Sequence, residues 1–332
     1  MSTLLERLKP KERRGSKPRC HLLTHGSPDD VAARLTALVA PFASAVPSDC
    51  WMPQGFENTA EATLPEAERL LPADVRLELQ RWWLSVASNN TRTPNWDLAS
   101  TCTIEGKAGI MLIEAKAHDQ ELIKEETGRK NIEAPVSGSA RRNLLRIDWA
   151  IRDASLALTE STGLTWALSR DWNYQMSNRF AWAWKLADLG IPVVLVYLGF
   201  LGTSEMKDQG NPLADAADWE AIVKRHSQAL FPAEVWGRRW TCGGHPFIPL
   251  IRSLAVPLNV NDQFKLFTES PLFAEDVFER AKRLIETYGA EAPVIAALRS
   301  SDDLHDEQEK TWWIEVVRAC KFILNGGGDP VH

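Results

Sequence analysis

Two strand-like runs joined by a short polar turn constrain the fold of this chain more than any other segment. Residues 97–104 and 109–117 are rich in β-branched and apolar side chains, and the four residues between them are polar and include a glycine. Chain segments of this kind pair with each other when the turn between them is short. The pattern therefore predicts an antiparallel hairpin.

Polar side chains gather on one face of the second predicted strand. Side chains alternate between the two faces of a strand, so Leu112, Glu114, Lys116 and His118 share one face, and Met111, Ile113, Ala115 and Ala117 share the other. Asp97 stands at the start of the first run, and the hairpin brings it close to the far end of the second. We therefore expect two carboxylates and an ammonium group to converge.

The expected cluster has the chemistry of a site for a hard cation. Carboxylate oxygens of Asp97 and Glu114, together with the backbone carbonyl of Ala115, suit Mg²⁺ or Mn²⁺, which keep several water ligands. Such an ion can bind a phosphate group and lower the pKa of an attacking water molecule. Lys116 can orient that water or stabilise negative charge on the phosphoryl oxygens.

In its Asp97 and its Glu114-Ala115-Lys116 segment, the chain resembles the PD-(D/E)XK nuclease superfamily over roughly residues 60–200. The resemblance implies an α/β fold with a restriction-endonuclease-like core, in which helices flank a mixed central sheet. It also implies catalysis by Asp97, Glu114 and Lys116. Two features depart from the family pattern: Asn95 and Trp96 separate Pro94 from Asp97, and no strand is evident between the first helix and Asp97.

The flanking segments supply four accessory candidates. A helical apolar stripe over residues 64–87 has Glu78 at its edge, and the resemblance implies an acidic site residue from this helix. A second helix over residues 171–189, followed by a buried strand over 191–200, carries Gln175 and Arg179 four positions apart. These two residues are candidate phosphate or base contacts, and His118 is a candidate extra base. For each, an ordinary structural or solvated position is the alternative.

Charge is distributed unevenly along the chain. The 332 residues include 38 Lys and Arg and 44 Asp and Glu, a net charge of −6, which is the wrong sign for coating nucleic acid by bulk electrostatics. Basic residues nevertheless cluster in residues 9–19 and at Arg141, Arg142 and Arg146. The second cluster is a candidate nucleic-acid-binding patch, with DNA as the favoured partner.

The sequence predicts three parts. Residues 1–60 form a basic, partly irregular N-terminal extension, residues 61–200 the nuclease-like core, and residues 201–332 a mixed and then helical region that packs on the core. In the last part we predict helices over residues 271–288, 291–299 and 307–324. A homodimer is left open as a further partner.

Apolar runs and cysteines in the sequence indicate the cellular compartment of the protein. No apolar run reaches the ~20 residues of a membrane helix, and no signal peptide is evident. Five scattered cysteines indicate a reducing compartment, so we expect a cytoplasmic protein without a membrane partner.

The sequence therefore favours a metal-dependent nuclease and leaves two alternatives. The first keeps the nuclease fold without catalysis, as a nucleic-acid-binding or protein-interaction module. The second is a carbohydrate-active hydrolase using Asp97 and Glu114 as paired carboxylates, a reading suggested by 14 tryptophans.

Overall fold

The computed structural model describes residues 4–86, 93–124, 137–258, 275–300 and 307–324. Internal contacts divide the chain into two compact units, Met1–Leu266 and Phe267–His332. The helices of the first unit are α1 (Ser16–Leu23), α2 (Pro28–Val39), α3 (Ala73–Trp83), α4 (Gln120–Ile123), α5 (Gly138–Thr162), α6 (Tyr174–Asp188) and α7 (Ala216–Ser227). Its strands are β1 (Ala43–Ser44), β2 (Trp51–Met52), β3 (Ala62–Thr63), β4 (Asn95–Trp96), β5 (Leu98–Ile104), β6 (Lys107–Lys116), β7 (Val193–Leu201), β8 (Trp240–Cys242) and β9 (His245–Ala255).

The centre of the first unit is a mixed seven-stranded sheet in the order β1-β5-β6-β7-β9-β8, with β2 also paired to β5. The β5–β6 and β8–β9 pairs are antiparallel, whereas β6–β7 and β7–β9 are parallel. The expectation of an α/β fold with a mixed central sheet and flanking helices is confirmed. The predicted boundaries between the three parts of the chain, at residues 60 and 200, stay a prediction. Strands from the first and the third predicted parts join the same sheet as those of the second.

The predicted hairpin is present, with a tighter turn than expected. Leu98 pairs with Ile113 and Ile104 pairs with Lys107, which leaves only Glu105 and Gly106 in the turn. Both turn residues have positive φ angles, 51° and 75°. Two successive residues of positive φ give a turn whose twist matches that of the flanking strands. Because the turn needs only these two residues, β6 begins two residues earlier than the sequence suggested.

Helices cover both faces of the sheet. On one face, α3, α5, α6 and α7 pack an apolar cluster rich in tryptophan, including Trp83, Trp182 and Trp219. On the other face, α1 and α2 pack against Met111, Ile113 and the alternating residues of β7. The central strands therefore have no solvated side, and all nine residues of β7 are buried.

Local signals explain where several helices begin and end. Helix α3 is shorter than the predicted 64–87 and begins after Pro72, since a proline is disfavoured once a helix has begun. The predicted helix over residues 171–189 and the strand after it are present as α6 and β7. Helix α5 was not anticipated; the Ser137 side chain caps its start and Gly163, in the left-handed region, ends it.

The second unit consists of the helices α8 (Glu275–Tyr288), α9 (Ala292–Ser300) and α10 (Glu307–Leu324). The prediction of three helices here is confirmed, although residues 271–274 of the first lie outside the described residues. Within the unit, Ala281, Ala296 and Val316 are fully buried.

Of the helices that the structure describes, none combines the length and apolar character that a membrane crossing requires. All five cysteines are free thiols.

Candidate active site

Glu114 and Lys116 lie at the end of β6, on the face of the sheet that α6 covers. Strand alternation places both on the same side, as predicted, but the covering helix buries them: their exposed fractions are 2% and 5%. Their side chains form an ion pair with 2.7 Å between Lys116 Nζ and Glu114 Oε1. Charges so deeply buried need partners, and Glu114 has several.

Helix α6 supplies the remaining partners of Glu114. Gln175 Nε2 donates to Glu114 Oε1 at 2.6 Å, and Arg179 Nε donates to Glu114 Oε2 at 2.6 Å. The side-chain oxygen of Gln175 accepts from Lys116 Nζ at 3.0 Å. Gln175 and Arg179 are one helical turn apart, so a single face of α6 holds both oxygens of Glu114. The structure therefore brings Glu114, Lys116, Gln175 and Arg179 into one network.

Arg179 links this network to the segment before Asp97. Its Nη2 donates to the Asn95 carbonyl at 2.7 Å, and its guanidinium lies 4.6 Å from the centre of the Trp96 ring. Burial alone would lower the pKa of Arg179, but the Glu114 carboxylate, together with Tyr197 and Asp97, raises it above its usual value. For Glu114, burial alone would raise the pKa, and Arg179 and Lys116 lower it below its usual value. Glu114 and Arg179 are thus both charged.

Asp97 differs from Glu114 in its electrostatic balance. Its carboxylate accepts a hydrogen bond from the Ala115 backbone N–H at 2.8 Å, which ties it to β6 beside Glu114. Burial and the nearby Glu114 carboxylate raise the pKa of Asp97 to about 8, more than Lys116, the Ala115 N–H and Arg179 can lower it. The ionised form of Asp97 is therefore disfavoured, because Lys116 and Arg179 do not fully offset the effects of burial and of the Glu114 charge.

A cavity of about 450 Å³ opens beside Asp97. Its floor and walls come from the segment before β5, from α6 and from Glu61. Gln175 and Arg179 contact both this cavity and Glu114, so they stand between the cavity and the buried ion pair. The lining residues are Glu61, Thr93, Pro94, Asn95, Asp97, Tyr174, Gln175, Asn178 and Arg179.

Glu61 is a cavity residue that the sequence did not reveal. It precedes β3, and β3 pairs with β4, which ends directly before Asp97. Its carboxylate bonds Lys17 of α1 at 3.1 Å and accepts from Asn95 Nδ2 at 3.4 Å. No local pattern marks Glu61, because only the β3–β4 pairing carries it to Asp97.

The donor set beside Asp97 fits a hydrated cation with few protein ligands. The carbonyl of Ala115 lies on the same edge of β6 as its N–H, which bonds Asp97, since both groups of a strand residue point to one side. A divalent cation would compensate the Asp97 charge. Glu114 already accepts three protein hydrogen bonds, which leaves roughly one acceptor position of its carboxylate for the cation. Among the described residues, no three His, Cys, Asp or Glu side chains converge as a metal-binding group, and Mg²⁺ characteristically uses one or two carboxylates plus water.

The other predicted residues lie elsewhere. Glu78 is exposed on α3 and does not line the cavity. His118 is buried, with its Nε2 3.5 Å from Glu121 Oε1 and its Nδ1 against Gly210. Arg141, Arg142 and Arg146 lie on α5, away from the cavity lining. Their proposed roles stay predictions.

Comparison with known proteins adds no assignment: no family model, no curated protein and no solved structure matches this chain.

Proposed function

We propose that the chain is a metal-dependent nuclease that hydrolyses phosphodiester bonds in nucleic acid, with DNA as the favoured substrate. One observation supports this most: Asp97, Glu114 and Lys116 meet at the ends of β5 and β6, beside a cavity. A secondary support is the arrangement of an antiparallel hairpin, a helix and a strand parallel to β6, which suits a restriction-endonuclease-like core.

In this proposal, Asp97 and the Ala115 carbonyl hold Mg²⁺ or Mn²⁺, with Glu114 as the exchangeable third ligand. When bound, the ion supplies Lewis-acid stabilisation of the phosphoryl oxygens and a more acidic water. Lys116 orients the attacking water and stabilises the charge that develops on the phosphate. Gln175 and Arg179 are positioning residues, because they fix the carboxylate that fixes Lys116.

A second candidate is a nuclease-like fold that binds nucleic acid or protein without cleaving. The observation that favours it is that the two oxygens of Glu114 already accept three hydrogen bonds from protein groups, of the roughly four that a carboxylate can accept. This candidate requires that Asp97→Ala and Lys116→Ala leave function intact. The carbohydrate hydrolase draws no such support, since no tryptophan is among the residues that line the cavity beside Asp97.

Cleavage assays separate the two candidates. The purified chain is incubated with supercoiled plasmid, a single-stranded oligonucleotide and RNA, in Mg²⁺ or Mn²⁺ and in parallel with EDTA. Lys116→Met keeps the aliphatic stem and removes the charge. Lys107→Met is the matched control, since Lys107 is an exposed residue at the opposite end of the same strand.

The nuclease proposal expects cleavage by the wild-type chain and by Lys107→Met. It expects loss of at least about 100-fold in rate for Lys116→Met, within the range of electrostatic contributions to catalysis, and complete loss in EDTA. Undiminished cleavage by Lys116→Met would overturn the assignment of the site. Binding without cleavage on every substrate would establish the second candidate instead.

A further inference from the structure

The outer face of α5 carries large apolar side chains in contact with solvent. Leu145, Trp149 and Leu156 expose 53%, 48% and 68% of their surface. Successive residues turn by about 100° around a helix, so these three share one stripe about 40° wide. The buried face of α5 lies on the opposite side of the helix and includes Ile147, Ala150, Ile151, Ala154 and Leu158.

The stripe has the spacing of a helix-pairing seam. Leu145, Trp149, Arg152 and Leu156 follow one another at intervals of four, three and four residues, the repeat by which two helices pack side by side. A face that only contacts water has no need of this spacing. The seam spans twelve residues, from Leu145 to Leu156, or about 17 Å of helix.

We propose that this face of α5 binds the same face of a second copy of the chain, with the two helices antiparallel. A two-fold axis passing midway between Ala150 and Ile151 sets Leu145 opposite Leu156 of the other copy, so that apolar meets apolar. It also sets Trp149 opposite Arg152, a pair that attracts through the face of the indole ring. The inference is independent of the proposed nuclease activity.

The charges beside the seam are complementary under the same two-fold axis. In an antiparallel pair, residues on one flank of a helix meet residues on the same flank of the other helix. Each pair occurs twice in a symmetric dimer. A parallel arrangement would instead bring opposite flanks together and set Asp148 beside Asp153 of the other copy, two like charges. The two-fold axis brings three opposite-charge pairs to within one or two residues of exact register: Arg142 with Glu160, Arg146 with Asp153, and Asp148 with Arg152. Within one copy, Arg146 also donates to the Arg81 carbonyl and Asp153 accepts from Trp82 Nε1, both on α3.

Two of these charges already interact within one copy. Arg152 Nε lies 3.0 Å from Asp148 Oδ2 of the same helix, so both charged groups are already held beside the seam. Arg146 lies with its guanidinium 4.4 Å from the centre of the Trp149 ring, and it also donates to the Arg81 carbonyl of α3 at 3.2 Å. Pre-arranged side chains lose less entropy when they bind.

A nucleic acid would fit this face less well than a second copy. Stacking on Trp149 and phosphate contacts by Arg142 would suit a single strand. Asp148 and Glu160 would repel phosphates, however, and Leu145 and Leu156 would gain little from a hydrated strand. The charge pattern thus favours a protein with the same face.

The proposed interface uses one helix from each copy, which is at the small end of specific interfaces. We therefore expect a dimer with a dissociation constant on the order of 10 µM. Sedimentation velocity of the full chain from about 1 to 100 µM spans that value. Circular dichroism of every variant establishes that it is folded.

Three substitutions on α5 and one control test the arrangement. Leu156→Glu should raise the dissociation constant at least about tenfold by placing a charge in the seam. Leu77→Glu introduces the same charge at another exposed leucine, on α3, and should leave the dimer unchanged. Arg142→Glu should weaken the dimer by placing two like charges together. Arg142→Glu/Glu160→Arg should restore the dimer, because the exchange rebuilds the opposite-charge pair of residues 142 and 160 at both of its symmetry-related positions.

Each outcome decides the proposal. Restoration by the double exchange, with Leu156→Glu monomeric, establishes the antiparallel pairing. A wild-type chain that is monomeric throughout the concentration range overturns it, as does a dimer that Leu156→Glu does not weaken. A monomer that loses oligonucleotide binding on Arg142→Glu would overturn it in favour of nucleic acid as the occupant.

Discussion

Replacing Asp97 by Asn should make the folded chain more stable, by an amount that grows with pH. The carboxylate has a pKa of about 8 in the folded chain, against 3.8 for an ordinary aspartate. Between these values the unfolded chain has lost the proton and the folded chain retains it. Stability contributed by the protonated group is therefore fully present below about pH 4 and is lost as the pH rises towards 8.

The magnitude follows from the two pKa values. Each pH unit in this window costs the wild-type chain about 1.4 kcal/mol of unfolding free energy. The whole window corresponds to on the order of 5 kcal/mol, an upper bound because Asp97 is only partly buried and lines the cavity. Asn has the shape of the protonated acid, and its side-chain oxygen can accept the Ala115 N–H in place of the carboxylate. The unfolding free energy of the Asp97→Asn chain should therefore lack this pH dependence.

Urea unfolding in EDTA between pH 5 and 7, followed by fluorescence, measures the effect. Wild type should lose about 3 kcal/mol relative to Asp97→Asn across this range, since the titrations of groups distant from Asp97 cancel in the difference. Asp74→Asn, at an exposed position on α3, is the matched control and should follow the wild-type profile. Parallel profiles for wild type and Asp97→Asn would refute the reasoning, because they would mean that Asp97 is ionised at neutral pH in the folded chain.

Three further substitutions test the packing and the network by the change in unfolding free energy. Arg179→Ala should cost about 3–5 kcal/mol, because it leaves Glu114 buried without its main counter-charge; a cost under 1 kcal/mol would contradict the charged state assigned to Glu114. Gln175→Ala removes one neutral donor from the same carboxylate and should cost only about 1 kcal/mol of unfolding free energy. A loss larger than that of Arg179→Ala would contradict the conclusion that Arg179 is the more important partner of Glu114. Gly199→Ala would set a Cβ 2.6 Å from the Trp219 ring, and we expect a loss of at least about 1–3 kcal/mol, whereas unchanged stability would show that the indole can move aside.

Periodic patterns account for what could be predicted. The alternation along residues 109–117 fixes Glu114 and Lys116 on one face of a strand, and the four-residue spacing fixes Gln175 and Arg179 on one face of a helix. The hairpin brings Asp97 beside Glu114 because the chain between them is short. These relations depend only on strand and helix geometry, which each segment carries by itself.

Contacts between distant segments account for what could not be predicted. The sequence placed Glu114 and Lys116 on one face of a strand, and only the structure shows that α6 covers this face and buries both side chains. Glu78 was the favoured upstream carboxylate, yet the direction of α3 leaves it in solvent, while the β3–β4 pairing carries Glu61 to the cavity.

The sequence by itself therefore determined the local geometry of the candidate site: which side chains share a face, and in what order along each element. The tertiary structure decided the environment of those side chains: that Glu114 is compensated by Arg179 and Lys116, and that Asp97 is not. The physical reason is that burial and charge depend on which surfaces meet across the fold. Those contacts join residues as far apart as Glu114 and Arg179, and no periodicity within a segment encodes them.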